Sequence, residues 1–318
     1  MSSNAWTPAD VPDLSGQTVI VTGANSGIGK EATRLFAENG ADVVMACRSV
    51  PRGRAAADEL RAAGVRGALS VRELDLANLD SVRSFAEGVL ADHDRIDVLS
   101  NNAGVMAIPR SETSDGFETQ FGVNHLGHFA LTGHLLDRLI ETDGDTRVVT
   151  QSSGMHERGT IDFEDLHGER DYGKWDAYAQ SKLANVLFAY ELQRRLDRAG
   201  VVSVRSLACH PGYADTNLQR RGPERAGSTV RLWMMKAANA VFAQPARLGS
   251  LPMVYAATAD TVEGGEYVGP GGFLNMRGYP ERQRSSDRSY DEDVSRRLWG
   301  VSESLTGVVY DLENRATA

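Results

Sequence analysis

The chain has 318 residues, 41% of them hydrophobic and 24% charged, the make-up of a folded protein with a sizeable core rather than a disordered segment. Its formal net charge of −9 argues against nucleic acid as a partner, because phosphate backbones require a cationic footprint. Two cysteines, Cys47 and Cys209, each ending an apolar run, suggest small buried hydrophobes; they supply no disulfide framework, and no metal site is expected.

Residues 1–13 read as a polar N-terminal arm containing Trp6, Pro8 and Pro12. The arm has neither a basic stretch nor an apolar run of secretory type. No uncharged apolar stretch reaches the roughly 18 residues of a membrane span, so no span is expected and the cytoplasm is the expected compartment. The β-branched run 18–21 predicts a buried strand. A helix over 28–39 follows, with Ile28, Ala32, Leu35 and Phe36 on one face and Asn39-Gly40 as a stop. Further strands are expected at 42–46, 68–74, 96–100, 147–151 and 201–208, and helices at 51–63, 78–92, 115–141 and 174–199. Strand–helix alternation of this kind predicts a doubly wound α/β fold, a parallel sheet of Rossmann type with helices on both faces. Ligands then bind at the carboxyl ends of the strands. The pattern loosens after Gly212. A short strand at 266–268 and a terminal helix at 291–299 are expected there, within a C-terminal extension (261–318) on a single domain (14–260).

The chemistry-bearing residues fall at those strand ends. Thr22-Gly23-Ala24-Asn25-Ser26-Gly27-Ile28-Gly29 joins the first strand to the first helix. Its glycines allow a tight turn and close backbone approach to a phosphate, at which the helix N-terminus aims free N–H groups. The second strand ends in Cys47-Arg48-Ser49 rather than in an acid. A carboxylate at this point would select the ribose hydroxyls of NAD. The Arg48 guanidinium instead suits a 2′-phosphate, with Asn25 and Ser49 as helpers, unless Arg48 is an ordinary surface arginine. Tyr178 and Lys182 lie four apart on a predicted helix and share a face. A neighbouring ammonium favours the phenolate, so Lys182 is expected to draw the Tyr178 pKa down toward acid–base use.

The spacing T-G-x-x-x-G-x-G, followed in order by Asp75-Leu76, Asn101-Asn102-Ala103-Gly104, Asn124, Ser152-Ser153, Tyr178-x-x-x-Lys182 and Pro211-Gly212, resembles the short-chain dehydrogenases/reductases. The resemblance spans about residues 14–257. The phrases Ala46-Cys47-Arg48 and 180–185 look like the retinol-dehydrogenase-like branch. It implies a catalytic set of Asn124, Ser153, Tyr178 and Lys182, in which Ser153 rather than Ser152 donates to the substrate oxygen. Asn124 would hold a water that relays protons to Lys182. For the cofactor, NADP(H), it implies contacts from the glycine loop, from Asp75 and Leu76 at the adenine, from Asn102, Ala103 and Gly104, from Tyr178 and Lys182, and from Pro211, Gly212 and Thr216 at the carboxamide. The expected activity is hydride transfer with an alcohol/carbonyl pair, in the direction of reducing a lipophilic aldehyde or ketone. A catalytically silent cofactor-binding sensor and an epimerase or dehydratase are the alternatives. Trp233, Met234, Met235 and Val241 are either a lid or a packing or oligomer surface, and homo-oligomerisation is left open.

Overall fold

A computed structural model describes residues 5–212, 245–272 and 275–312. In chain order its elements are β1 (Thr18–Thr22), α1 (Gly27–Glu38), β2 (Asp42–Cys47), α2 (Val50–Ala62), β3 (Leu69–Glu73), α3 (Leu79–Asp92), β4 (Val98–Asn101), α4 (Thr119–Phe121), a π-helical turn (Gly122–Leu126), α5 (Gly127–Glu141), β5 (Thr146–Gln151), α6 (Lys174–Arg198), β6 (Val204–Cys209), α7 (Ala246–Thr258), β7 (Tyr267–Pro270), β8 (Pro280–Gln283) and α8 (Glu292–Thr306). Among the described residues the strands form one sheet, in the order β3-β2-β1-β4-β5-β6-β7-β8. Every pairing is parallel except β7 with β8. The direction of winding reverses between β1 and β4, which leaves a crevice at their carboxyl ends.

Alternation along β1 shows why both faces are covered. Val19 and Val21 point into a core with Leu35 and Phe36 of α1, Leu60 of α2 and Leu251 of α7. Ile20 points the other way, into a core with Val82, Phe129, Leu135, Phe188 and Trp299. A strand buried on both faces must be apolar throughout, hence the unbroken run that marks it in the sequence. The described residues after position 260 include elements of these layers. β7 and β8 extend the sheet, and α8 lays Leu298 and Trp299 on α5 and α6. The Tyr310 hydroxyl closes the core by donating to the Phe129 carbonyl at 2.6 Å.

Four elements differ from what the sequence led us to expect. The helix expected over 115–141 starts at Thr119, because Gly116 at φ 84° turns the chain and Glu118 caps the helix through the Phe121 N–H (2.7 Å). Its course also includes the π turn. The strand expected from 201 starts at Val204, since Gly200 (φ 69°) and a Val201 N–H bond to the Leu196 carbonyl (3.0 Å) still belong to the end of α6. Helix α7 has no counterpart in the sequence reading. It contains Gly249 and Pro252, both unfavourable in a helix interior, and tertiary burial from Gly249 to Thr258 overrides that propensity. The terminal helix expected at 291–299 runs on to Thr306, capped by Asp291 and ended by Gly307 at φ 68°. Thr216 and the Trp233, Met234, Met235 and Val241 group lie outside the described residues.

Trp299 is 2% exposed, its ring 5.1 Å from Phe129, 5.8 Å from Phe188 and 4.6 Å from Tyr310 between centroids. Trp299→Ala should lower unfolding stability by about 3–5 kcal/mol in urea titrations. Val309→Ala, at a site 74% exposed, should stay within about 0.5 kcal/mol of the parent.

Candidate active site

Because β1 to β6 run parallel, the residues that follow them line up along one edge. At β1 the chain turns through Gly23 (φ 67°) into the glycine loop. A Cβ on Gly29 would sit 2.5 Å from the Gly23 carbonyl oxygen, so only glycine lets α1 close down on the strand. Ser26 precedes α1 without a side-chain capping bond, so no N-cap side chain takes the first-turn N–H groups. The Cys47 thiol accepts from the Ala24 and Asn25 N–H groups under this loop, and burial pushes its pKa up to about 11. Arg48 is exposed just beyond β2 and has no ion pair among the described residues. Beyond β3, Asp75 accepts from the Ala77 N–H at 3.0 Å, and Leu76 is buried in the core. Beyond β4, the Asn102 and Ala103 N–H groups both donate to the Thr22 hydroxyl at 2.9 Å. The Asn102 side chain donates to the Thr22 carbonyl at 2.7 Å. Asn102 therefore works as a tie between β1 and β4, with half-buried Ala103 and Gly104 lining the crevice. Pro211 and Gly212 (φ 62°) follow β6.

The structure brings Asn124, Ser153, Tyr178 and Lys182 together. Asn124 sits in the π turn, fully buried. Its amide nitrogen donates to the Val105 carbonyl (3.0 Å) and the Ser181 hydroxyl (2.9 Å), and its oxygen accepts from the Val105 N–H (2.8 Å). Ser181 in turn donates to the Tyr178 carbonyl at 2.8 Å. The Asn124 side chain is thus engaged in holding the 102–105 loop against α6. Its carbonyl accepts from His128 Nδ1 at 3.0 Å. The two serines separate by their bonds. Ser152 is buried and donates to the Lys182 carbonyl at 2.7 Å. Half-buried Ser153 caps the short helical turn Gly154–Arg158, accepts from the Met155 N–H at 3.3 Å, and is hydrogen-bonded to Tyr178. Lys182 Nζ donates to the Gln151 carbonyl at 3.1 Å and lies 5.8 Å from the Tyr178 ring centroid.

Electrostatics corrects one expectation. Burial pushes the Tyr178 pKa up to about 12, opposed by its bond to Ser153, and Lys182 is not what sets it. Lys182 is itself pulled down to about 8 by burial, with nearby Cys209 working the other way. Desolvation outweighs the expected ammonium–phenolate attraction because the pair has been taken out of water together. A protonated Tyr178 is a proton donor at neutral pH.

The sequence reading missed several supporting groups. His128 Nδ1 must carry the hydrogen it gives to the Asn124 carbonyl, so Nε2 accepts from the Thr22 hydroxyl at 2.9 Å. Burial pulls His128 down to about 4 and keeps it neutral. Cys47 and the Gln151 carbonyl, which also takes the Asn185 amide at 2.9 Å, were equally silent. A histidine four residues after the asparagine was the only signal available for His128.

A family profile for short chain dehydrogenase covers residues 17–226. Human retinol dehydrogenase 12 is 42% identical over 300 residues, 94% of this chain and 89% of that protein. The crystal structure of an uncharacterized protein from Mycobacterium paratuberculosis matches with a TM-score of 0.79 at 43% identity, covering 96% of this chain and 99% of that one. A short chain dehydrogenase of Escherichia coli CFT073, solved with NADPH, is 26% identical with a TM-score of 0.53, covering 66% and 82%. With the fold and this edge of strand ends, these matches show that the chain belongs to the short-chain dehydrogenase family, oxidoreductases that work with a nicotinamide cofactor. No helix among the described residues is long and apolar enough to cross a membrane.

The depressed Lys182 pKa predicts a pH signature. Below about 8 a charged Lys182 is buried at full cost; between 8 and 10.5 the unfolded chain holds the extra proton, so the cost shrinks; above 10.5 it is gone. In the cofactor-free protein Lys182→Met should raise stability at pH 7 by as much as about 3 kcal/mol. The gain should fade across that window in denaturant titrations repeated at several pH values.

Proposed function

We propose that the protein moves hydride between NADP(H) and an alcohol/carbonyl pair, working as a reductase of lipophilic aldehydes or ketones. The observation that carries the reading is the protonated Tyr178 hydroxyl, bonded to Ser153 and backed by Lys182 at the strand-end crevice. The residues present fit a dinucleotide. The uncapped α1 N-terminus and the loop from Gly23 to Gly29 suit its phosphates, with Asn25 and Ser26 at the turn. Arg48, with Ser49, suits a 2′-phosphate, and no acid stands there to repel it. Asp75, Leu76, Asn102, Ala103, Gly104, Pro211 and Gly212 border the rest, and Lys182 would reach the nicotinamide ribose. The NADPH complex of the Escherichia coli relative supports the choice of cofactor. Its bound reduced form would supply the hydride.

The chain's own groups do the remainder. Ser153 accepts from the Met155 N–H and donates toward Tyr178, and a carbonyl oxygen bound between the two hydroxyls would take over that donation. Tyr178 gives that oxygen its proton as charge develops. Ser153, whose bond already opposes the effect of burial on Tyr178, would steady the phenolate left behind. The relatives' name, retinol dehydrogenase, points to a lipophilic alcohol or aldehyde. Trp175 agrees with it: the ring is 48% exposed and stands edge-on to Tyr178 at 6.3 Å, an apolar wall beside the proton donor.

NADPH oxidation across a panel of aliphatic, aromatic and isoprenoid carbonyls tests the activity. Tyr178→Phe should abolish turnover while NADPH still binds. A protein that binds NADPH without consuming it on any carbonyl would be a sensor, and product formation without net NADPH change would mark an epimerase or dehydratase. For the cofactor, NADPH should bind at least about tenfold more tightly than NADH, equivalent to about 1.4 kcal/mol. Arg48→Asp should reverse that order in fluorescence titrations; equal affinities in the parent would refute the assignment.

A further inference from the structure

His156 is 2% exposed on the turn that follows the Ser152-Ser153 pair. Its two ring nitrogens have partners that leave no freedom of tautomer. Nδ1 lies 2.7 Å from the Ser153 carbonyl oxygen, which can only accept, so Nδ1 carries the hydrogen. Nε2 lies 3.1 Å from the Ser286 backbone nitrogen, which can only donate, so Nε2 presents its lone pair. The Tyr267 hydroxyl approaches Nδ1 at 3.3 Å. Both main-chain partners demand the same neutral imidazole.

The consequence reaches the serine. The Ser153 carbonyl receives the His156 backbone N–H (3.0 Å) as well as the ring, and together they fix the turn. That turn places the Met155 N–H against the Ser153 hydroxyl oxygen, while the hydroxyl bonds Tyr178 in the sense that favours the phenolate, that of a donor. The turn is held from outside by the segment that follows β8. Besides the Ser286 N–H, Arg288 donates to the Gly159 carbonyl (2.7 Å) and the Thr160 hydroxyl (3.0 Å).

We infer that His156 is a positioning residue for Ser153, and that the segment 284–290 is part of the active-site scaffold through the Ser286 N–H. The inference rests on the proposed role of Ser153 as donor to the substrate oxygen. Ser286 allows a clean test. Exchanging the Ser285–Ser286 amide for an ester removes the one N–H that His156 Nε2 accepts and adds no atom beside the ring. His156→Asn retains a donor near the position of Nδ1, whereas His156→Gln moves the amide out toward Nε2.

The variants, with Ser153→Ala as reference, are assayed for NADPH-dependent turnover of the carbonyl that the parent reduces fastest. Carbonyl KM, NADPH Kd and Tm are measured on the same preparations. The Ser286 ester and His156→Gln should each lower kcat about five- to tenfold, with KM and Kd within about twofold of the parent, against about 10²–10³ for Ser153→Ala. His156→Asn should recover kcat to within about threefold. If Ser153→Ala keeps parental kcat, the role of Ser153 itself is wrong and the inference goes with it. If Ser153→Ala is impaired but the Ser286 ester turns over like the parent, the inference alone is overturned. Equal impairment of the Asn and Gln variants, or losses that follow Kd or Tm, overturn it as well. Should His156→Gln fail to fold, the Ser286 ester decides.

Discussion

The Thr22 hydroxyl is the atom on which the site's geometry turns. It ends β1, takes the N–H groups of Asn102 and Ala103 from the end of β4, and faces His128 on the helix behind them. These are the two strands between which the winding reverses, and a parallel sheet has no ladder bonds to spare beyond its last residues. Without such a tie the strand ends would splay where the backbone must be most exact. His128 carries the constraint onward to the Asn124 carbonyl, and Asn124 carries it to the 102–105 loop and to α6 through Ser181. The cofactor-facing loops and the Tyr178 helix are therefore linked by one run of buried hydrogen bonds. Each member would be costly to leave unpaired.

Burial defines the chemistry as much as charge does. Tyr178 and Lys182 are both withdrawn from water, and each moves toward its neutral form, the phenol upward and the ammonium downward. The pair is consequently poised with a proton to give on Tyr178 and a labile charge on Lys182. Neither state follows from the one-line pattern Tyr-x-x-x-Lys. The neutral His128 arises in the same way, its ring held by two partners that fit only one tautomer.

The sequence was most legible where a local pattern and a tertiary requirement coincide. Strands buried on both faces read as unbroken apolar runs, and the glycine loop announced itself because close approach at Gly29 excludes every other residue. The choice between Ser152 and Ser153 came from family resemblance, whereas the structure separates them by what each hydroxyl already bonds. What stayed hidden depends on contacts remote in sequence. Helix α7 holds together by burial against its own glycine and proline. Ser302 bonds His125 from a helix that begins far downstream, and Ser286 reaches His156 across 130 positions. No spacing rule operates over such separations.

The closing role of residues 267–310 bears on how the chain is made. Trp299, Tyr310 and the strands β7 and β8 fill or border the cores assembled by the first two hundred residues. A nascent chain leaving the ribosome in order would present Phe129, Phe188 and the β6 edge uncovered until residues 267–310 emerged. Contacts of such high sequence separation form late and slowly. During that interval the exposed aromatic seat and unpaired strand edge are targets for holdase chaperones and for association with other nascent chains.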